Sequence, residues 1–149
     1  MLAPEAVEDA RVLDAYAGTG ALGLEALSRG ARWADFLERD REMCQRLRDN
    51  LRSAGFADRA HVYCAPVQKG LGFLSEPYDL VLMDPPYDQP GIEEVAARVG
   101  AGLLKPEGTL VLEHAVRRPM PARLGRLVVA RSRRYGDTAV SLYRQERQP

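Results

Sequence analysis

The chain has 149 residues, of which 46% are apolar and 28% charged, and its formal net charge is zero. That length suits one domain with a real core and excludes two well-formed ones, and no apolar run approaches the roughly 20 residues of a membrane-spanning helix. Met1-Leu2-Ala3-Pro4-Glu5 has neither the basic nor the apolar region of a secretion signal, so a cytoplasmic protein that does not engage a membrane is expected.

The balanced charge conceals a split. Up to His114 there are 12 basic and 19 acidic residues, and from Ala115 onward 9 basic and 2 acidic. An acidic body thus carries a basic C-terminal segment, which suits a polyanionic partner or an ordinary solvated hairpin. Cys44 and Cys64 show no Cys-x-x-Cys spacing and no partnered His. They read as small core residues, with neither a disulfide nor a metal site expected.

Residues 1 to 9 are acidic and unpatterned. A first strand is predicted at about 10–15, with Val12 and Leu13 buried, followed by Asp14, the turn Gly18-Thr19-Gly20 and a helix over about 20–29 that stops at Gly30. Trp33 to Leu37 reads as a strand ending at Glu38. Asp40 then caps a helix over about 41–54, whose Met43, Cys44, Leu47, Leu51 and Ala54 share one face. His61 to Cys64 is a third strand. A helical turn with Leu71, Phe73 and Leu74 leads to a fourth strand, Tyr78 to Met83, which runs into Asp84-Pro85-Pro86-Tyr87. Two successive prolines cannot continue a ladder, so the backbone leaves the sheet there.

Pro90 opens a helix with an apolar stripe at Ile92, Val95, Ala96, Val99 and Leu103. Pro106-Glu107-Gly108 reads as a turn and Thr109 to Glu113 as a fifth strand. Leu127 to Ser132 and Thr138 to Tyr143 then alternate around Tyr135-Gly136-Asp137 as an antiparallel hairpin. Strands alternating with helices imply one α/β domain over 1–149, with a mostly parallel, Rossmann-like sheet. Ligands bind such sheets beyond the carboxyl ends of the strands. The residues at those ends are Asp14 with the glycine turn, Glu38, Ala65-Pro66, and Asp84 to Tyr87.

A lone Gly-x-Gly is as readily a plain turn as a ligand loop. Here Gly18-Thr19-Gly20-Ala21-Leu22-Gly23 fits a dinucleotide fingerprint, and Glu38 lies where an acid would hold a ribose. Nicotinamide dinucleotides and S-adenosylmethionine (SAM) both offer that ribose. Asp14 would sit badly beside a pyrophosphate but suits a ligand with a cationic amine and no phosphate, and hydride transfer has no use for Asp84-Pro85-Pro86-Tyr87. Methylation of an exocyclic amine does: the Asp84 carboxylate and the Pro85 carbonyl accept its protons, Pro86 fixes the carbonyl's direction, and Tyr87 offers a face to an unstacked base. Alone, Asp84 would read as a helix cap and Tyr87 as a packed aromatic.

Leu13-Asp14-Ala15-Tyr16-Ala17-Gly18-Thr19-Gly20-Ala21-Leu22-Gly23-Leu24-Glu25-Ala26-Leu27-Ser28-Arg29-Gly30-Ala31, together with Asp84-Pro85-Pro86-Tyr87 and Arg134-Tyr135-Gly136-Asp137-Thr138, resembles the RsmD family of SAM-dependent methyltransferases. These enzymes modify guanine N2 in bacterial small-subunit (16S) ribosomal RNA. The resemblance covers nearly the whole chain. It implies a seven-stranded sheet with an antiparallel last strand, and SAM as cofactor. Asp14, Ala17, Gly18, Thr19 and Gly20 would surround its methionine part, Glu38 and Arg39 would lie at the ribose, and Asp84 to Tyr87 would receive the guanine. The implied partner is ribosomal RNA or the assembling small subunit, with Arg117, Arg118, Arg123, Arg126, Arg131, Arg133 and Arg134 as phosphate contacts. The pattern does not fix an oligomeric state; a monomer is expected.

Two departures from the family pattern stand out. Family members carry an acid near the adenine at the end of strand three, where this chain reads Cys64-Ala65-Pro66-Val67, so adenine recognition would fall to backbone at the Val67 N–H. They also begin with a few dozen more residues, which help close the cofactor site and engage RNA. Here the first strand comes almost at once, which predicts a truncation or a partner in that place. Three other readings stay open: a DNA adenine or cytosine-N4 methyltransferase, a non-catalytic SAM- or RNA-binding module, and, last, an NAD-dependent oxidoreductase.

Overall fold

A computed structural model of the chain describes residues 7–147; the unpatterned residues 1–6 lie outside it. Twelve elements follow in order: β1 Arg11–Asp14, α1 Ala21–Ser28, β2 Trp33–Glu38, α2 Arg41–Ser53, β3 Ala60–Cys64, α3 Val67–Gly70, β4 Tyr78–Met83, α4 Ile92–Gly102, β5 Leu104–Ala115, β6 Arg123–Leu124, β7 Leu127–Tyr135 and β8 Thr138–Gln145. One eight-stranded sheet runs β3-β2-β1-β4-β5-β8-β7-β6. Strands β3, β2, β1, β4 and β5 run parallel to one another, whereas the β5–β8, β8–β7 and β7–β6 pairs are antiparallel. The expected seven strands gain the two-residue β6, which pairs Leu124 with Leu127.

The central strands are buried on both faces, as parallel strands under crossover helices must be. One face packs Val12, Phe36, Leu80 and Leu82 against Ala26 and Leu27 of α1 and Leu47 and Leu51 of α2. The other packs Leu13, Val81, Met83 and Leu110 against Val67 of α3 and Val95 and Val99 of α4. Asp40 caps α2 as expected, its side chain accepting the Met43 N–H at 3.1 Å. At the amino ends of the strands the buried Asp35 carboxylate accepts the Tyr78 hydroxyl and the Trp33 Nε1–H, and the Arg11 guanidinium lies 3.4 Å away, which compensates its charge.

Two local expectations are corrected. The residues read as a turn at Pro106-Glu107-Gly108 lie inside β5, where the register against β4 jumps from Tyr78↔Leu104 to Leu80↔Thr109. The strand therefore bulges there instead of stopping. Cys44 and Cys64, read as separate core residues, are paired as a disulfide with a Cα–Cα separation of 6.0 Å. Cys64 lies opposite Glu38 at the end of β3, and Cys44 falls in the first turns of α2, which begins three residues after Glu38. Proximity through the β2-to-α2 connection leaves no mark in the spacing of the two cysteines.

Candidate active site

The carboxyl ends of β1, β2, β4 and β5 form one edge, and a cavity of about 510 Å3 opens there. Its wall includes Asp14, Tyr16, Ala17, Gly18 and Thr19 after β1, Glu38 and Arg39 after β2, Val67 and Gln68 of α3, and Asp84, Pro85 and Pro86 after β4. A second cavity of about 630 Å3 lies beside it, with Asp84, Pro85, Pro86 and Tyr87 on one side and Glu113 to Arg118, Arg134, Asp137 and Thr138 on the other. Asp84, Pro85 and Pro86 belong to both walls. The motif after β4 is thus the partition between two adjoining spaces.

The glycine turn is held from three sides. Gly18 N–H donates to Glu38 Oε1 at 2.8 Å, Gly20 N–H donates to the Ala17 carbonyl at 2.8 Å, and Asn50 of α2 donates to the Thr19 carbonyl at 3.1 Å. Gly18 has φ +57° and nothing within 4 Å of where a Cβ would stand, so it leaves open space on the cavity side. Gly20, with φ +89°, does not line the cavity; a Cβ there would run into Leu47. Its part is to turn the chain into α1 and pack closely against α2.

Gly23, one turn into α1, donates its N–H to Asp14 Oδ2 at 3.1 Å. Asp14 Oδ1 is buried with no partner among the described residues. Burial, with Asp84 and Glu38 adding repulsion and the Gly23 N–H opposing it, pushes the Asp14 pKa up to about 7. A buried carboxylate with an orphaned oxygen in a cavity wall calls for a cation or a strong donor, which fits the amine of SAM. Glu38 is oriented by two backbone donors, Gly18 N–H on Oε1 and Asp40 N–H on Oε2, each at 2.8 Å. Each oxygen keeps a further lone pair with which to accept.

After β4, Gln89 N–H donates to the Pro86 carbonyl at 3.1 Å, whereas nothing among the described residues donates to the Pro85 carbonyl. Asp84 is exposed at the cavity and does not cap α4, whose N-cap is Gly91. Tyr87 is 60% exposed instead of packed, and the Arg117 guanidinium sits 4.4 Å from its ring centroid. Val67 lines the first cavity as the opening residue of α3.

Four residues of the site have no role read from the sequence. Tyr16 has a buried hydroxyl with no partner among the described residues; burial, opposed by Arg118, raises its pKa to about 12, so it is a donor near neutral pH. Gln68 and Gln89 line the first cavity as neutral hydrogen-bonding groups. Glu113 lines the second cavity, and burial together with the Asp84 carboxylate raises its pKa. Among the expected phosphate contacts, Arg123 is engaged elsewhere, bonding Glu146 at 2.7 and 2.9 Å. Arg117, Arg118 and Arg134 line the second cavity, and Arg126, Arg131 and Arg133 are exposed away from it.

Residues 1–144 match a protein family described as "Conserved hypothetical protein 95". The chain is 36% identical over 148 residues to ribosomal RNA small subunit methyltransferase D of Escherichia coli strain K12, covering 99% of this chain and 74% of that one. It is 31% identical over 139 residues to a Bacillus subtilis relative, covering 91% and 76%. A solved Escherichia coli structure superposes with a TM-score of 0.87 at 34% identity, covering 95% of this chain and 79% of the other.

Proposed function

Because the chain belongs to the family described as "Conserved hypothetical protein 95", to which the small-subunit methyltransferase D enzymes of the RsmD type are related, we propose that it methylates the exocyclic N2 amine of a guanine in small-subunit ribosomal RNA. The cofactor is S-adenosylmethionine, and the class of reaction is methyl transfer to ribosomal RNA. The observation that carries the reading is the shared partition: Asp84, Pro85 and Pro86 face both the cavity of Asp14 and Glu38 and the cavity of Tyr87.

In the first cavity, Asp14 takes the cationic amine on its orphaned oxygen, Glu38 takes the ribose hydroxyls, and the backbone at Ala17 to Thr19 lies along the methionine part. Val67 and Gln68 stand at the adenine end. When bound, the cofactor supplies an electrophilic sulfonium methyl group and departs as a neutral thioether. In the second cavity, Tyr87 supports an unstacked base, worth about 1–3 kcal/mol. The Asp84 carboxylate and the unengaged Pro85 carbonyl accept the two N2 protons, drawing them out of the ring plane so that the nitrogen lone pair points at the partition. Asp84 then takes the proton that N2 loses as its new bond to carbon forms. Alignment is the main contribution asked of the protein, because the leaving group needs no general acid.

The test is incorporation of labelled methyl into naked small-subunit RNA, 30S particles and duplex DNA, with nuclease digestion and mass spectrometry of the product. N2-methylguanine from RNA or particles is the expected product. N6-methyladenine or N4-methylcytosine from DNA would replace the reading, and SAM binding without turnover on any of the three would reduce the chain to a binding module.

A further inference from the structure

The cavity that receives the base holds a second carboxyl that the transfer as written does not use. Met83 of β4 lies opposite Leu112 of β5, so the next residues along these parallel strands, Asp84 and Glu113, are neighbours at the edge of the sheet. Both line the 630 Å3 cavity together with Tyr87, and burial with the neighbouring Asp84 carboxylate raises the Glu113 pKa. A row of acids emerges from the register: Glu38 and Asp14 end β2 and β1, Asp84 follows β4, and Glu113 lies two residues before the end of β5. Each lies two residues beyond Phe36, Val12, Leu82 or Val111 on the same face of the sheet. In the proposed function the first three each have a ligand donor to accept: ribose hydroxyls, an amine, and the N2 protons. Glu113 has none.

We propose that Glu113 reads the base as guanine by accepting its N1–H while Asp84 accepts from N2. The inference rests on the guanine-N2 reading above and names the group that selects the base. Guanine places N1–H beside the N2 amine, two donors in a row. The amine of adenine or cytosine instead sits beside a ring nitrogen that carries a lone pair. Two adjacent carboxyls match the first edge and repel the second. A guanine edge gives each of the two carboxyls a donor of its own. Leaving the ring N–H of a bound base unpaired, or setting a lone pair against a carboxylate, is the kind of mismatch that discriminates strongly in a desolvated pocket.

The experiment compares guanine with 2,6-diaminopurine at the methylated position of the RNA, once mass spectrometry has located it. Diaminopurine keeps the N2 amine but replaces N1–H with a lone pair. The wild-type protein is expected to prefer guanine by about 10- to 100-fold in kcat/KM. Glu113→Gln, whose amide donates to N1, is expected to shrink that ratio at least about tenfold, and Glu113→Ala to shrink it less. SAM affinity and thermal midpoint verify that both variants are folded. An unchanged ratio with a lower kcat would overturn the proposal and leave Glu113 as a neighbour that positions Asp84. Absence of N2 methylation by the wild-type protein would instead remove the reading on which the inference rests.

Discussion

The Arg117 guanidinium covers one face of the Tyr87 ring at 4.4 Å and leaves the 60%-exposed ring as an open shelf above the second cavity. A flat aromatic face held by a cation on its other side is a ready platform for an unstacked base. Tyr87→Ala is therefore expected to lower kcat/KM for RNA by about 10- to 100-fold, the equivalent of one lost base stack. Tyr87→Phe keeps the face and should stay within a few-fold of wild type. SAM affinity measured by calorimetry should be unchanged in both. A weaker SAM complex would place the ring in the first cavity.

Asp84 stands on the partition, so its removal should separate binding from chemistry. Asp84→Ala is expected to abolish methyl transfer while SAM binding survives, because in the proposed arrangement Asp14 and Glu38, on other strands, are the residues that take the cofactor. Transfer near the wild-type rate would take Asp84 out of the reaction. Asp84→Asn retains one acceptor oxygen and should keep a small residual rate.

Asp14 gives a pH dependence with a definite sign. Its pKa in the folded free protein is about 7, raised from 3.8 chiefly by burial. The folded state keeps a proton that the unfolded chain releases above that lower value, so this group makes the free protein less stable as pH climbs toward 7 and adds no further slope above it. The cationic amine needs the carboxylate, so SAM affinity should rise by up to about tenfold per pH unit below 7 and level off above it. Asp14→Asn should flatten both curves, raise the melting temperature of the free protein at pH 8, and weaken SAM binding. A wild-type affinity independent of pH between 5.5 and 8 would show that Asp14 does not face the amine.

Much of this site is legible in the amino-acid sequence because strand ends in a parallel sheet share one edge. Val12 and Leu13 mark a strand, so Asp14 and Gly18 must leave it at the carboxyl end, and the same logic places Glu38 and Asp84. What stays hidden depends on register and side-chain partners. Glu113 lies within β5 with no glycine, proline or motif beside it, and only the pairing of Met83 with Leu112 sets it beside Asp84. Arg123 looks like any other arginine of the basic segment until β6 brings it to Glu146. Gly20 reads as a ligand contact, yet its lack of a Cβ serves Leu47.

Gly23 couples packing to binding. A Cβ on it would strike the Phe36 ring and stand 3.3 Å from Asp14 Oδ2, which its own N–H holds at 3.1 Å. Gly23→Ala should cost about 1–3 kcal/mol in stability through overpacking, read from denaturant unfolding. It should also weaken SAM binding by displacing the Asp14 carboxylate. Improved helix propensity acts in the opposite direction by at most about 1 kcal/mol, so a net gain in stability would mean that Phe36 has room to move.

Position on the hairpin should sort the arginines. Arg134 lines the second cavity, its Nε donating to the Gly136 carbonyl at 2.9 Å, which holds its guanidinium at that cavity's wall. Arg123 is bound to Glu146 across β6 and β8 and offers no free charge. Arg134→Ala is expected to weaken RNA binding and to reduce the slope of log affinity against log salt by about 0.7, the loss of one contact to a single-stranded phosphate. Arg123→Ala should leave the slope unchanged. Filter binding of a small-subunit RNA fragment from 50 to 300 mM salt measures both, and equal slopes for the two variants would mean that RNA does not reach the cavity along this hairpin.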